Sequence, residues 1–279
     1  MKIKEVIERL CEWHQPFIEH EGGRDKILCG DADQECSGIA ITVCATFEVL
    51  KKAKEQNINL IITHESIFFG GRVDADELAD NDVYQAKLNY IKENNLVIWR
   101  DHDHIHGNGK PFYPERKNPD YIFYGICKEL GWDDYVVGDK LKPLWYKIPK
   151  IKAADLADFI MAKFNLQGMR IVGNLDQDIS TVWFAEHVMG SKTDGEKIKS
   201  GLKADVIIPF EICDYTLTQY VHDAAYLNQA KVLFEMGHFN CEELGMKYML
   251  QWLPEALQEE IPMVFIQSGD YFHYLERVL

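Results

Sequence analysis

Apolar residues recur at helical spacing over 3–13, where Ile3, Val6, Ile7, Leu10 and Cys11 share a face, and again over 47–56 with Phe47, Leu50 and Ala53. Unbroken apolar runs at 38–43 and 58–62 have the length of strands buried on both faces. Strand, helix and strand at this separation make a βαβ unit with a parallel sheet. A further helix over 82–94 leads to an apolar strand at 96–99.

The stretch 107–120, with Gly107, Gly109, Pro111, Pro114 and Pro119, reads as a loop, and Ile122, Ile126 and Leu130 mark a helix after it. Short strands are expected at 135–137 and 144–148, then a helix over 153–164. The outline of the first half then repeats: strands at 170–172 and 181–184, a helix near 193–201 and a strand at 206–208. A helix over 215–228, a strand at 232–235 and a helix that carries Glu242 follow. The pattern predicts an α/β protein of two similar lobes, each a mixed or mostly parallel sheet flanked by helices. The first lobe is expected over 1–115, a connecting segment over 116–150 and the second lobe over 151–279.

The 279 residues, 47% of them hydrophobic, suffice for a sizeable core in one large domain or two. The amino-terminal ten residues carry lysines and glutamates within their apolar pattern, so neither a signal peptide nor a membrane span is expected. Seven cysteines without a CxxC pair suggest a reducing cytoplasm, and Cys241 is the one placed near candidate metal ligands. A net charge of −15, with 45 acids against 30 bases, argues against wrapping a nucleic acid backbone. It favours a cationic ligand such as a metal. The expected partner is a small-molecule substrate, with neither nucleic acid nor membrane.

Three places join an apolar strand to metal-ligand residues. Thr63-His64-Glu65 follows the run at 58–62, and Asp101-His-Asp-His-Ile-His106 follows the strand at 96–99. If that second segment is extended, His102, His104 and His106 fall on one side and Asp101 with Asp103 on the other. The third place is Gly237-His238 with Glu242, where an imidazole and a carboxylate one helical turn apart can reach one divalent cation. His64 and His102 stand just past the carboxyl ends of strands, the edge where open α/β sheets place their ligands.

Taken together and in this order, these motifs resemble the NGG-one interacting factor three family, whose members carry a dinuclear metal centre and are often labelled type 2 homologues of GTP cyclohydrolase 1. In that family an apolar strand ends in Thr-His-His, a His-x-x-x-Asp follows a later strand, and a Gly-His is followed by Glu four residues after the histidine. The resemblance extends to the strand at 38–43, the approach to His64 and the segment 204–211, where Glu211 matches while Pro209 and Phe210 depart. It implies His64, Glu65, His106, His238 and Glu242 as ligands, with His102 as a supporting residue. Two departures fall on the ligands themselves: Glu65 replaces a histidine and His106 an aspartate. Three imidazoles and two carboxylates remain, and Asp101 or Asp103 are alternative ligands. Such a set suits two ions of Zn, Fe, Mn or Ni better than Ca or Mg. The resemblance places the metal site in the cleft between the lobes and implies a homo-oligomer, with relatives forming hexameric rings.

Two cations about 3.5 to 4 Å apart polarise a substrate oxygen and acidify a bridging water. Glu211 and Asp103 are the candidate proton shuttles. The expected function is a metal-dependent hydrolase acting through a metal-bound water on a small phosphorylated, nucleotide-like or amide substrate. The alternative is a non-catalytic metal-binding or regulatory assembly protein. An amidohydrolase-type barrel built on His102-Asp-His104 would need eight strand and helix alternations, more than the pattern offers. The HxHxDH pattern of another metallohydrolase class fails because Gly107 stands at its last histidine.

Overall fold

Three apolar tetrapeptides form the centre of one sheet: β2 (Ile39–Thr42), β3 (Leu60–Thr63) and β4 (Val97–Arg100), every residue of which is buried. Strands covered on both faces cannot alternate polar and apolar residues, which is why these read as continuous runs. The computed structural model describes residues 1–18, 22–69, 78–107, 115–190, 192–201 and 203–275. By their internal contacts these divide into a first unit, 1–126 with 243–268, and a second unit, 127–242 with 269–279.

Among the described residues, the sheet of the first unit runs β1-β4-β3-β2-β10, with β1 (Lys26–Cys29) antiparallel at one edge and β10 (Met263–Phe265) parallel at the other. Helices α1 (Ile3–Trp13), α2 (Phe47–Glu55) and α3 (Asp82–Glu93) each start on a recognisable signal. Thr46 caps α2 by accepting from the Val49 amide, and Asn81 caps α3 through the amides of Val83 and Tyr84. Ala40, Leu50, Ala53, Ile61, Ile91 and Ile98 pack into one core, each large aliphatic side chain contributing roughly 1.5–3 kcal/mol on leaving water. Helix α5 (Tyr121–Leu130) crosses α9 (His238–Leu257) so closely that a Cβ at Gly245 would stand 2.6 Å from the Ile122 backbone. Only glycine permits that approach.

The second unit has its own five-stranded sheet, in the order β5-β7-β8-β9-β6. Strands β7 (Asp178–Glu186), β8 (Val206–Pro209) and β9 (Val232–Glu235) are parallel neighbours. The edge strands β5 (Trp145–Lys152) and β6 (Arg170–Gly173) run antiparallel to them. Pro149 lies in β5, where the pairing with β7 is irregular, as an edge strand allows. Helices α6 (Ala153–Phe164), α7 (Lys192–Gly201) and α8 (Gln219–Tyr226) accompany the sheet. Trp183, Ala185, Ile207, Leu217, Val221 and Leu233 form the core.

The expected two-lobed α/β architecture is present, and three details differ from the sequence pattern. The chain returns to the first sheet through β10, so 243–268 belong with the first unit rather than with everything after 151. Residues 135–137 form no strand: a 3-10 turn, Asp133–Tyr135, precedes a single bridge between Val136 and Tyr146. Residues 101–106 are not extended. Asp103–His106 form a helical turn, α4, because the Asp25 carboxylate accepts the amides of His102, Asp103 and His104 at 2.6, 2.7 and 2.7 Å. Three backbone donors focused on one anion fix a helix start. Of the loop expected over 107–120, residues 108–114 lie outside those described. Among the described residues no helix is long and apolar enough to cross a membrane.

Candidate metal centre

Each unit gathers imidazoles and carboxylates beyond the carboxyl ends of its parallel strands. In the first, His64 follows β3, while His102 and His106 bracket the turn that follows β4. Helical geometry puts residues four apart on one face, so His102 and His106 come together and His104 turns away. Coordinating atoms of His64, His102 and His106 lie within 4.8 Å of one another. The His64 and His102 rings stack at 4.3 Å between centroids, and His106 stands 5.0 Å from each.

Hydrogen bonds fix the tautomers of two of these rings. His64 donates from Nδ1 to the Asp101 carbonyl at 3.0 Å, and His106 donates from Nδ1 to Asp120 Oδ1 at 3.0 Å. A ring tied down through Nδ1 offers Nε2 to a cation, the arrangement typical behind ligating histidines. His102 is held on both sides: Nδ1 is 3.2 Å from Asp103 Oδ1, and Nε2 is 2.8 Å from the Arg24 guanidinium. That suits the supporting role expected of it. Asp103, an expected proton shuttle, is buried and accepts from Arg24 Nε at 2.8 Å and from the Arg24 amide at 2.7 Å. Its visible work is to position Arg24 and His102.

Glu65, which stands where the family has a histidine, accepts from Arg100 Nη2 at 3.0 Å. Arg100 is only 1% exposed and also donates from Nε to the His64 carbonyl at 3.2 Å, so a carboxylate here balances a buried guanidinium. His104 leaves the group altogether. It lies 2.5 Å from Asp25 Oδ2 and stacks on Phe17 at 3.9 Å. Burial alone would disfavour its charge, but Asp25 and Cys11 together outweigh burial and raise His104 to about 10.

The second unit holds its own group. His238 opens α9, and its Nδ1 lies 2.5 Å from Glu211 Oε1, while its Nε2 lies 3.3 Å from Glu242 Oε2. The helical spacing read from sequence thus brings His238 and Glu242 together. Burial works against charge on His238, but the two carboxylates prevail and raise it to about 11. Burial likewise works against the Glu211 carboxylate, yet His187 and His238 lower it to about 2. In the metal-free chain a proton on His238 supplies the positive charge that these acids attract, and a cation would replace it. Cys241 is no part of this group. It is fully buried, donates to the Pro209 carbonyl at 3.7 Å, and burial raises its pKa well above the usual thiol value, so it stays protonated.

Sequence reasoning passed over Asp25, Arg24, Asp120 and His187. Asp25 and Arg24 reach the histidines from about eighty residues away in sequence, and no local pattern marks them. Asp120 carries only the signal of a helix cap before Tyr121. His187 could have been found, because it follows the strand β7 as His64 follows β3.

Two mixed α/β units, each with imidazoles and carboxylates beyond its strand ends, define a two-unit α/β protein whose donor atoms could hold a metal ion. The chain belongs to the Duf34/NIF3 (NGG1p interacting factor 3) family, whose sequence profile matches residues 1–104 and 126–270. A Campylobacter jejuni relative named GTP cyclohydrolase 1 type 2 homolog is 24% identical over 278 residues, spanning 98% of this chain and 100% of its own. A Staphylococcus aureus hypothetical protein of known structure superposes with a TM-score of 0.70 at 18% identity, covering 99% of both chains. A Bacillus cereus protein related to NIF3 does so with a TM-score of 0.67 at 16% identity, again over 99% of both. These structural likenesses speak for the fold.

Proposed function

We propose that this protein binds two divalent transition-metal ions and is a metal-dependent hydrolase of a small phosphorylated, nucleotide-like or amide substrate. The observation that carries the reading is the fixing of His64 and His106 through Nδ1, by a carbonyl and a buried carboxylate, with their coordinating atoms within 4.8 Å. Histidines that serve packing alone do not need three rings gathered at one strand edge, two of them with their tautomers set from behind. Bound divalent ions supply Lewis acidity toward a substrate oxygen and acidify a water molecule.

The residues of the chain do the rest. His64 and His106 hold a cation through Nε2, with Asp120 orienting the His106 ring from behind. Arg24 and Asp103 keep the His102 ring in place. His238 and Glu242 supply an imidazole and a carboxylate at the start of α9. Of the two acids expected to move protons, Glu211 is 32% exposed and can exchange with solvent, whereas Asp103 is buried against Arg24. Glu211 is therefore the proposed shuttle.

Metal content of the freshly purified protein, measured with its turnover of a panel of phosphoesters and amides, tests the proposal. Two equivalents of metal are expected, with turnover that stops on chelation and in His64→Ala. Full occupancy in His64→Ala and His106→Ala would overturn the ligand assignment. Metal without turnover would make the protein a binding or assembly protein instead of an enzyme.

A further inference from the structure

Three neighbouring parallel strands of the second unit end in residues with metal-ligand side chains. His187 is the residue after β7, Glu211 stands two past β8, and His238 stands three past β9. Because β7, β8 and β9 are adjacent and parallel, these residues share one edge of the sheet. His187 Nδ1 lies 3.0 Å from Glu211 Oε2, His238 Nδ1 lies 2.5 Å from Glu211 Oε1, and the two rings are 5.0 Å apart between centroids. Their coordinating atoms lie within 4.8 Å of one another. Phe210 meets both rings, at 5.4 and 5.2 Å, and limits how far either can turn.

We infer that His187, Glu211 and Nδ1 of His238 form a cation site of their own, solvent-facing and suited to a borderline divalent ion such as Zn, Ni or Cu. Two imidazoles and one carboxylate match the preferences of those metals, and water can complete the coordination. His187 is 51% exposed and His238 24%, so the site exchanges ions with solvent more readily than the buried group around His64. Glu242 completes the arrangement. When Nδ1 of His238 coordinates, Nε2 carries the hydrogen and Glu242 Oε2, 3.3 Å away, accepts it, a carboxylate placed behind a ligating ring. His187 is outside the residues named for the proposed hydrolase, but the site shares Glu211, His238 and Glu242 with it, so the two uses of these side chains exclude each other. An ion here would take Glu211 out of proton exchange and hold His238 and Glu242 away from the proposed centre, which on that reading makes the site inhibitory at high metal concentration.

Titration of the metal-free, full-length chain with Co(II), followed by visible absorption and calorimetry, tests the site. The wild type should show a class of binding that His187→Ala removes or weakens at least about tenfold, the usual worth of a lost ligand partner or more. His106→Ala should keep that class. His187 is half exposed, so its replacement leaves the fold intact, and circular dichroism checks this. In Co(II)-loaded protein, the paramagnetically shifted imidazole signals that persist in His106→Ala should disappear when His187→Ala is added. Superimposable isotherms for wild type and His187→Ala would overturn the site, as would loss of the whole class in His106→Ala. An unchanged isotherm in His106→Ala beside a loss in His187→Ala would overturn the ligand set of the proposed hydrolase and leave this site standing.

Discussion

Replacing Asp120 by asparagine separates two jobs of one carboxylate. Its Oδ1 takes the Nδ1 hydrogen of His106 at 3.0 Å and the Phe123 amide at 3.4 Å, the latter in the first turn of α5. Asparagine caps a helix about as well as aspartate, so α5 keeps its start. The charge is what goes. A charge-assisted hydrogen bond is roughly twice as strong as a neutral one, so His106 loses about 1 kcal/mol of anchoring. Carboxylates behind ligating histidines are worth about 10–100-fold in metal affinity. The asparagine oxygen still accepts from the ring, which puts Asp120→Asn near the lower end, at about 10-fold. Asp120→Ala loses the cap as well, at about 1 kcal/mol of stability. Competition for Zn(II) against a chromophoric chelator reads the first effect, and urea unfolding of the metal-free protein reads the second. Unchanged Zn(II) affinity in a folded Asp120→Asn protein would remove His106 from the ligand set.

Arg100→Met should destabilise the metal-free protein by roughly 3–5 kcal/mol, because it leaves the Glu65 carboxylate without its buried guanidinium. Adding Glu65→Gln should recover part of that loss in urea unfolding, and strictly additive effects would show that the pair is not coupled. His14 gives the pH dependence. It is fully buried, and burial first, then the nearby His104, lower it to about 3, so the folded chain refuses a proton that the unfolded chain takes at about 6.5. Its contribution to stability is complete above pH 6.5 and is lost as pH falls toward 3, with a slope near 1.4 kcal/mol per pH unit. Asp101, 3.9 Å away, has the opposite slope but is common to both proteins compared. His14→Phe should therefore gain on the wild type as pH drops from 6.5 to 4.5 in urea unfolding curves, and parallel curves would contradict the shift.

What the sequence made legible was whatever local periodicity controls. The buried strands 39–42, 60–63, 97–100 and 206–209 and the helices after them were plain, because apolar runs and caps act within a few residues. Strand β1 was not, since it is defined by its pairing with β4, and the apolar run 263–266 that forms β10 was passed over because its place in the first sheet depends on pairing with β2. The histidine segment shows the same limit more sharply. Its residue types pointed to metal chemistry, but its shape depends on Asp25, which arrives from another element and turns an expected extended stretch into a helical one. His102 and His106 share a face for a reason that their own spacing cannot reveal.

The departures from the family pattern also make sense only in space. Read along the chain, Glu65 removes an imidazole and looks like damage to a metal site. In the structure it faces Arg100, a buried cation that the neutral ring of a histidine would leave unbalanced. The exchange therefore belongs to an electrostatic unit that includes β4, and restoring the histidine alone would trade one ligand for an unpaired guanidinium. His106 in place of an aspartate follows the same logic, because the carboxylate is kept one step behind it in Asp120. On the proposed reading, negative charge near the group moves outward from the ligand to the residue that orients it, which keeps the donor set fit for a divalent cation while shifting it toward nitrogen and the metals that prefer it.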